Sequence, residues 1–178
     1  MADFNSFVLP NVRLSYPHIF KRSNFKGNVG KYRAVFMIPK SDKETISMIK
    51  KHINDLEEFV DLKVNKDRWC VRDGDNFDNN PEYKDHIIFS ASSDHKPVTL
   101  DGDGEDITEM QDILYPGCWV KAVVGLWCQN NQYGKRINGN LYGVQFVKDD
   151  ERFSSIDEDA IREKMTGKSA SSQDDSLL

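Results

Sequence analysis

The residues best placed to do chemistry are aromatics set beside cations in strand-forming strings. In CWVKAVVGLWC (118–128), a two-residue period puts Cys118, Val120, Ala122, Val124, Leu126 and Cys128 on one apolar face. The opposite face carries Trp119, Lys121, Val123, Gly125 and Trp127: two indoles around a lysine, with a glycine that leaves flat space. Such a surface can stack nucleobases while the cation neutralises the phosphates between them. A Trp on a barrel strand also packs well under a loop or helix, so periodicity alone leaves a core role open. In KYRAVFMIPK (31–40), Tyr32 and Arg33 set an aromatic and a cation side by side on opposite faces, so at most one is assured of facing a groove. The turn Tyr133-Gly134-Lys135-Arg136 adds an aromatic with two cations.

Carboxylates offer a second chemistry. Asp73, Asp75 and Asp78 cluster in DGDNFDNN, while Asp101, Asp103 and Glu105 lead a string that reaches Asp112 at the twelfth place of a calcium-loop count. Both fail that motif, because Asp106 occupies its glycine position in one and Phe77 its fifth position in the other. A solvated acidic turn explains them, so no metal or other cofactor is expected. A metal-dependent nuclease on Asp73/Asp75 or Asp101/Asp103 is the enzymatic rival. His18, His52, His86 and His95 stand in no HExxH, GxSxG or Cys/His signature, and the phosphate-loop and dinucleotide glycine motifs are missing. No catalytic residue is assigned.

The elements that must carry these side chains are mostly strands. Ser6–Tyr16 reads as an edge or bulged strand interrupted by Pro10. The basic, glycine-containing loop KRSNFKGNVGK follows, with Lys21, Arg22, Phe25, Lys26 and Lys31, and then the strand YRAVFMIPK stopped by Pro39. Ser41 with Glu44 reads as a capping box opening a helix over about 42–60, whose apolar face is Ile46, Ile49, Ile53, Leu56 and Val60. Residues 61–85 read as loop around a short RWCVRDGD element. HIIFSASS is a strand with KPVTL as its candidate hairpin partner, 101–112 an acidic loop, and GCWVKAVVGLWC and RINGNLYGVQFV two strands joined by a polar turn. The sum is a mainly β chain, a small barrel or sandwich with one helix. After Phe153 the composition turns acidic and Ser-rich, so the domain is expected to span 1–150 and a mostly disordered tail 151–178, with one short helix at 156–165.

At 178 residues, with 38% hydrophobic and 30% charged residues, the chain fits one ordinary globular domain. No apolar run approaches the length of a membrane helix, and the N-terminus lacks a signal-peptide pattern. Cys70, Cys118 and Cys128 form no CxxC pair and read as small buried hydrophobes of a reducing compartment. The net charge of -5 is unevenly spread. Residues 1–51 hold ten Lys/Arg against three Asp/Glu, and 113–148 hold four against none. Residues 52–112 hold six against seventeen, and 149–178 hold four against nine. The two basic segments are also the best strand formers, so a local positive surface can coexist with an acidic total.

Six strings occur in order: RLSYPHIF (13–20), KYRAVFMIPKSD (31–42), VRDGD (71–75), SASSDHKPV (90–98), YPGCWVKAVVGLW (115–127) and GVQFVKDDE (143–151). Over residues 10–150 the chain resembles a family of tailed-phage single-stranded DNA-binding proteins with an OB-fold. That resemblance implies an OB-like barrel, sequence-independent binding of single strands, a role in phage replication or recombination, and residence in the cytoplasm of the infected host. It implies no enzymatic activity. One departure is visible, since the common OB topology has its helix between the third and fourth strands and this one follows the second long strand. The resemblance also gives the tail a reading: Asp157, Glu158, Asp159, Asp174 and Asp175 before Leu177 and Leu178 would dock phage or host replication proteins and compete with DNA. A protein-binding adaptor that uses the barrel only as a scaffold is the non-enzymatic rival.

Overall fold

The computed structural model describes residues 6–25, 28–153 and 165–166. Its strands are β1 (Phe7–His18), β2 (Asn24–Phe25), β3 (Asn28–Val29), β4 (Tyr32–Pro39), β5 (Val71–Asp73), β6 (His86–Ser93), β7 (Val98–Leu100), β8 (Trp119–Asn131) and β9 (Gly134–Lys148). One helix, α1 (Lys43–Val60), stands between β4 and β5. β1 pairs antiparallel with β4 and β8, β4 with β6, and β8 with β9, while β6 meets β9 in parallel. Five strands thus close a ring in the order β1-β4-β6-β9-β8. Counted in chain order this reads 1-2-3-5-4, an OB-type barrel. The helix lies between the second and third barrel strands, as its place in the sequence requires.

Alternation fills the barrel, and bulges correct its phase. On β1 the buried residues run Leu9, then Val12 and Leu14, an odd-to-even change that a register shift between Leu9 and Val12 permits. Pro10, which has no N–H to give, sits inside that irregular stretch, where residues 7–12 pair with β8 alone, while 13–18 pair with β4, so the strand is bulged and open on one side at the proline. On β9 the same change separates Ile137 and Leu141 from Val144. Ala34, Phe36 and Ile38 of β4, Phe89 and Ala91 of β6, and Val120, Ala122, Val124 and Leu126 of β8 complete the interior.

Helix α1 closes one end with Ile49, Ile53 and Leu56, while Val60 of the expected face is exposed. Its cap differs from the Ser41–Glu44 expectation. Asp42 is the N-cap and its carboxylate accepts from Thr45 N–H at 3.2 Å, because the helix starts one residue later. KPVTL is likewise not the hairpin partner of HIIFSASS. β7 pairs in parallel with β9, since β6 already has β4 on one side and β5 and β9 on the other.

The β6–β9 closure needs a glycine. A side-chain carbon on Gly139 would stand 2.5 Å from the Ser90 carbonyl, so only hydrogen lets the two strands approach there. Beyond that contact Trp69–Val71 wedges into the seam. Cys70 N–H donates to the Ile137 carbonyl (2.8 Å), and Ser90 N–H donates to the Cys70 carbonyl (3.0 Å). The loop-rich 61–85 segment is therefore part of the barrel wall. Among the described residues no helix is long and apolar enough to cross a membrane.

Candidate nucleic-acid interface

The seam opens outward into a groove of about 560 Å³ between β4–β6 and the β8–β9 hairpin. Strand period builds two of its walls. Trp127 and Gln129 leave β8 on one face, and across the hairpin they stand opposite Asn138 and Arg136. Asn138 donates to the Gln129 side-chain oxygen at 3.2 Å, which steadies that wall. From the facing side come Lys31, Arg33, Ser90 and Ser92, with Arg33 opposite Ser92 in the β4–β6 register. Arg68, Trp69, Arg72 and Phe77 close the third side.

Five cations (Lys31, Arg33, Arg68, Arg72 and Arg136) line this groove and no carboxylate does. Among the described residues none of the five forms an ion pair with Asp or Glu. Unneutralised guanidinium groups around a concavity attract polyanions. The aromatics are fixed in different ways. Trp69 donates its indole N–H to the Val64 carbonyl (3.1 Å), whereas the Trp127 ring is 40% exposed. Burial pushes the Cys70 thiol, also on the lining, up to about 12, so it supplies no thiolate. Burial, with Arg33 adding to it, holds His18 below the ordinary imidazole range.

Of the expected residues, Lys31, Arg33, Trp127 and Arg136 come together here. Arg33 rather than Tyr32 faces the groove. Tyr32 instead lies under Arg22, whose guanidinium carbon is 5.1 Å from the ring centroid and which also donates to the carbonyls of Gly30 and Asp94. Lys21 pairs with Glu109 on the surface (3.5 Å). Tyr133 and Lys135 stand at the tip of the β8–β9 hairpin, outside the groove lining. Lys121 lies beside a separate apolar hollow of about 260 Å³ with Val98, Val123 and Tyr142.

Trp119 is drawn away from the groove. Its indole N–H donates to the Asp150 carboxylate (2.8 Å), and Arg13 and Lys148 lie 5.8 and 5.2 Å from its ring centroid. That hydrogen bond first, then a backbone N–H from Glu151, holds Asp150 below the usual carboxylate range. Lys26, the Phe25 side chain, and the tail residues Asp157, Glu158, Asp159, Asp174, Asp175, Leu177 and Leu178 lie outside the described residues, as does most of the short helix expected at 156–165.

Arg68, Trp69 and Arg72 were not among the expected site residues. The signal was present in RWCVR, an aromatic between two arginines, but it lies in the most acidic stretch of the chain. The acidic clusters take other roles. Asp73 and Asp75 both clasp the Lys40 ammonium at 2.8 Å, which holds the two carboxyls low and raises the lysine well above its ordinary value. Asp101 accepts from the backbone N–H groups of Asp103 and Glu105, both at 2.9 Å, as a loop-forming Asp does. Among the described residues no group of three His, Cys, Asp or Glu is placed to hold a metal.

A closed five-strand barrel with a basic, aromatic groove running from its second and third strands to the hairpin of its last two defines an oligonucleotide-binding barrel. Residues 5–175 match the family model described as Enterobacter phage Enc34, ssDNA-binding protein, and the chain belongs to that family of single-stranded DNA-binding proteins, which are not enzymes. "Putative protein p50" of Acyrthosiphon pisum secondary endosymbiont phage 1 is 34% identical over 158 residues, covering 82% of this chain and 85% of the relative. The single-stranded DNA-binding protein from bacteriophage Enc34, solved in complex with ssDNA, superposes with a TM-score of 0.78 at 33% identity, over 85% of this chain and 90% of that one. Protein gp2.5 of bacteriophage T7, also a single-stranded DNA-binding protein, shares the fold with a TM-score of 0.62 at 16% identity, over 87% and 97% of the two chains.

Proposed function

We propose that this chain binds single-stranded DNA without regard to sequence, along the groove between β4–β6 and the β8–β9 hairpin. The observation that carries the reading is the meeting of five cations, none of them in an ion pair among the described residues, and the exposed Trp127 ring in one concavity lined by no carboxylate. Lys31, Arg33, Arg68, Arg72 and Arg136 would take phosphates, and Trp127 a base face, worth about 1–3 kcal/mol per stacked base. Arg22 and Tyr32, held together at the β2–β3 end, would meet the strand as it leaves. Only unpaired bases can present a face to a flat ring, so duplex of the same length is excluded from this contact. No base-reading pattern of side chains is needed. The relative solved with ssDNA supports the assignment.

The organism-level role follows from that chemistry: shielding of exposed single strands during phage replication and recombination, in the cytoplasm of the infected host. We assign residues 1–150 to the binding domain and 151–178 to an acidic tail that docks replication or recombination proteins through Asp157, Glu158, Asp159, Asp174, Asp175, Leu177 and Leu178. The acidic composition and apolar end of that segment are what support the tail's role. The test is binding to oligo-dT across a salt series, with duplex of equal length as control. The expected result is saturable binding to the single strand alone, with affinity falling by a log–log slope of about 0.7 per phosphate contacted. Equal affinity for duplex, or no salt dependence, overturns it.

A further inference from the structure

The tip of the β8–β9 hairpin is built more rigidly than a surface turn requires. Tyr133 N–H donates to the Asn131 side-chain oxygen (2.8 Å). Arg68 reaches across from the 66–68 turn and donates to the carbonyls of Tyr133 (2.9 Å) and Lys135 (3.2 Å). Gly134 has φ +102°, and a side-chain carbon there would stand 2.7 Å from the Arg68 guanidinium. The backbone of the tip is thus held from both sides while the Tyr133 ring is 73% exposed. A bare aromatic on a braced support is out of keeping with a solvated turn, where a small polar residue would cost less.

Two basic concavities meet at this hairpin tip, with Arg68 in the lining of both. On one side is the groove, entered past Arg136. On the other lies a hollow of about 460 Å³ lined by Lys63, Asn65, Asp67, Arg68, Gly134 and Lys135. Lys63 also pairs with the buried Glu57 carboxylate at 3.6 Å, but its own side chain stays almost wholly exposed and open to a second anion. The groove accounts for one strand and leaves the hollow without a ligand.

We propose that the Tyr133 tip is a binding site for the end of a DNA duplex at a single-strand–duplex junction. The ring stacks on the terminal base pair, one strand continues into the groove, and the backbone of the complementary strand is held by Lys63 and Lys135 in the hollow. The proposal rests on the groove being the single-strand site. It adds to that reading a preference for junctions over plain single strands, and it positions the protein to stop or open a duplex where the single strand begins.

The test compares fluorescence anisotropy of labelled oligo-dT with that of the same oligo-dT extended at one end by a hairpin-closed duplex, with 2-aminopurine in the terminal pair. The wild-type chain should bind the junction about fivefold or more tightly than the single strand, the lower end of what one stacked ring supplies. It should also change the 2-aminopurine emission. Tyr133→Ala should remove the preference and the emission change while leaving oligo-dT affinity intact, and Tyr133→Trp should retain both. Lys63→Ala with Lys135→Ala should lower the preference without touching oligo-dT binding. Equal wild-type affinity for the two DNAs overturns the junction site while leaving the groove assignment standing. A Tyr133→Ala that keeps the preference, or one that weakens both DNAs equally, also overturns it. Failure of the wild type to bind oligo-dT overturns the groove assignment and the junction site together.

Discussion

Trp127 and Trp119 leave the same face of β8, and each has arginine and lysine nearby, yet their surroundings are opposite in kind. At Trp127 the cations come from β4, the 68–72 segment and β9, and none of them meets a carboxylate among the described residues. At Trp119 the segment Asp149–Phe153 folds back over the ring. Asp150 takes the indole N–H, Arg13 donates to the carbonyls of Gly117 and Glu151, and the Arg13 guanidinium lies 4.4 Å from the Phe153 ring centroid. Tyr115 O–H donates to Asp149, and Phe153 N–H to the Pro116 carbonyl, closing the same end. The ingredients at the two ends match. What separates a binding surface from a structural clasp is whether the chain supplies its own anions.

The contrast breaks most sharply under charge reversal. Arg33→Glu combined with Arg136→Glu should cost about 3 kcal/mol or more of oligo-dT affinity, since two charge-assisted contacts are lost and repulsion is added. Arg13→Ala should leave that affinity nearly unchanged and instead lower the unfolding free energy by about 2 kcal/mol, through its lost carbonyl bonds and ring contacts. Binding titrations and urea melts on the same samples separate the two. A loss of affinity in Arg13→Ala would remove the distinction.

Next in size is barrel closure. Gly139→Ala forces a carbon toward the Ser90 carbonyl where β6 meets β9, and should destabilise by about 1–3 kcal/mol. Because the groove walls are those two strands and their neighbours, oligo-dT affinity should fall with it. A melt unchanged from wild type would show that the seam opens without cost.

The smallest effect is on pH. Burial holds His52, stacked on Phe7 at 4.1 Å, and His18 below the ordinary imidazole range. Their contribution to stability is fully present above about pH 6.5 and is lost as pH falls through the lower folded values. Asp73 and Asp75, held low first by hydrogen bonds from Lys40, lose theirs only in stronger acid, below about pH 4. The urea midpoint should therefore fall between about pH 7 and 5, and His52→Phe, which keeps a ring against Phe7, should lessen that fall. An undiminished fall assigns the effect to other groups.

The features legible in the sequence are those carried by local period. β4, β8, β9 and α1 show their inward faces directly, and alternation puts Trp127 on the outward face of β8, while it leaves Tyr32 and Arg33 as alternatives and Arg136 reads only as part of a basic turn. What alternation cannot tell is where along a strand a partner lies, so Trp119 and Trp127 look equivalent until residues 149–153 are seen to fold over one of them. Arg68, Trp69 and Arg72 were missed for a related reason. Arg68 ends the 66–68 turn and only Arg72 lies on the short β5, while the bonds of Cys70 between them to Ile137 and Ser90 are distant in sequence, so neither period nor local charge marks the segment as barrel wall. The β7 pairing fails the same way, because the adjacent strand's edges were already taken by elements far along the chain.

Tryptophan fluorescence on oligo-dT titration bears most directly on the groove. Quenching should persist in Trp119→Phe and fall by more than half in Trp127→Phe, whose ring is the exposed one. Quenching lost in Trp119→Phe and kept in Trp127→Phe would place the DNA at the clasped end of β8 and contradict the assignment.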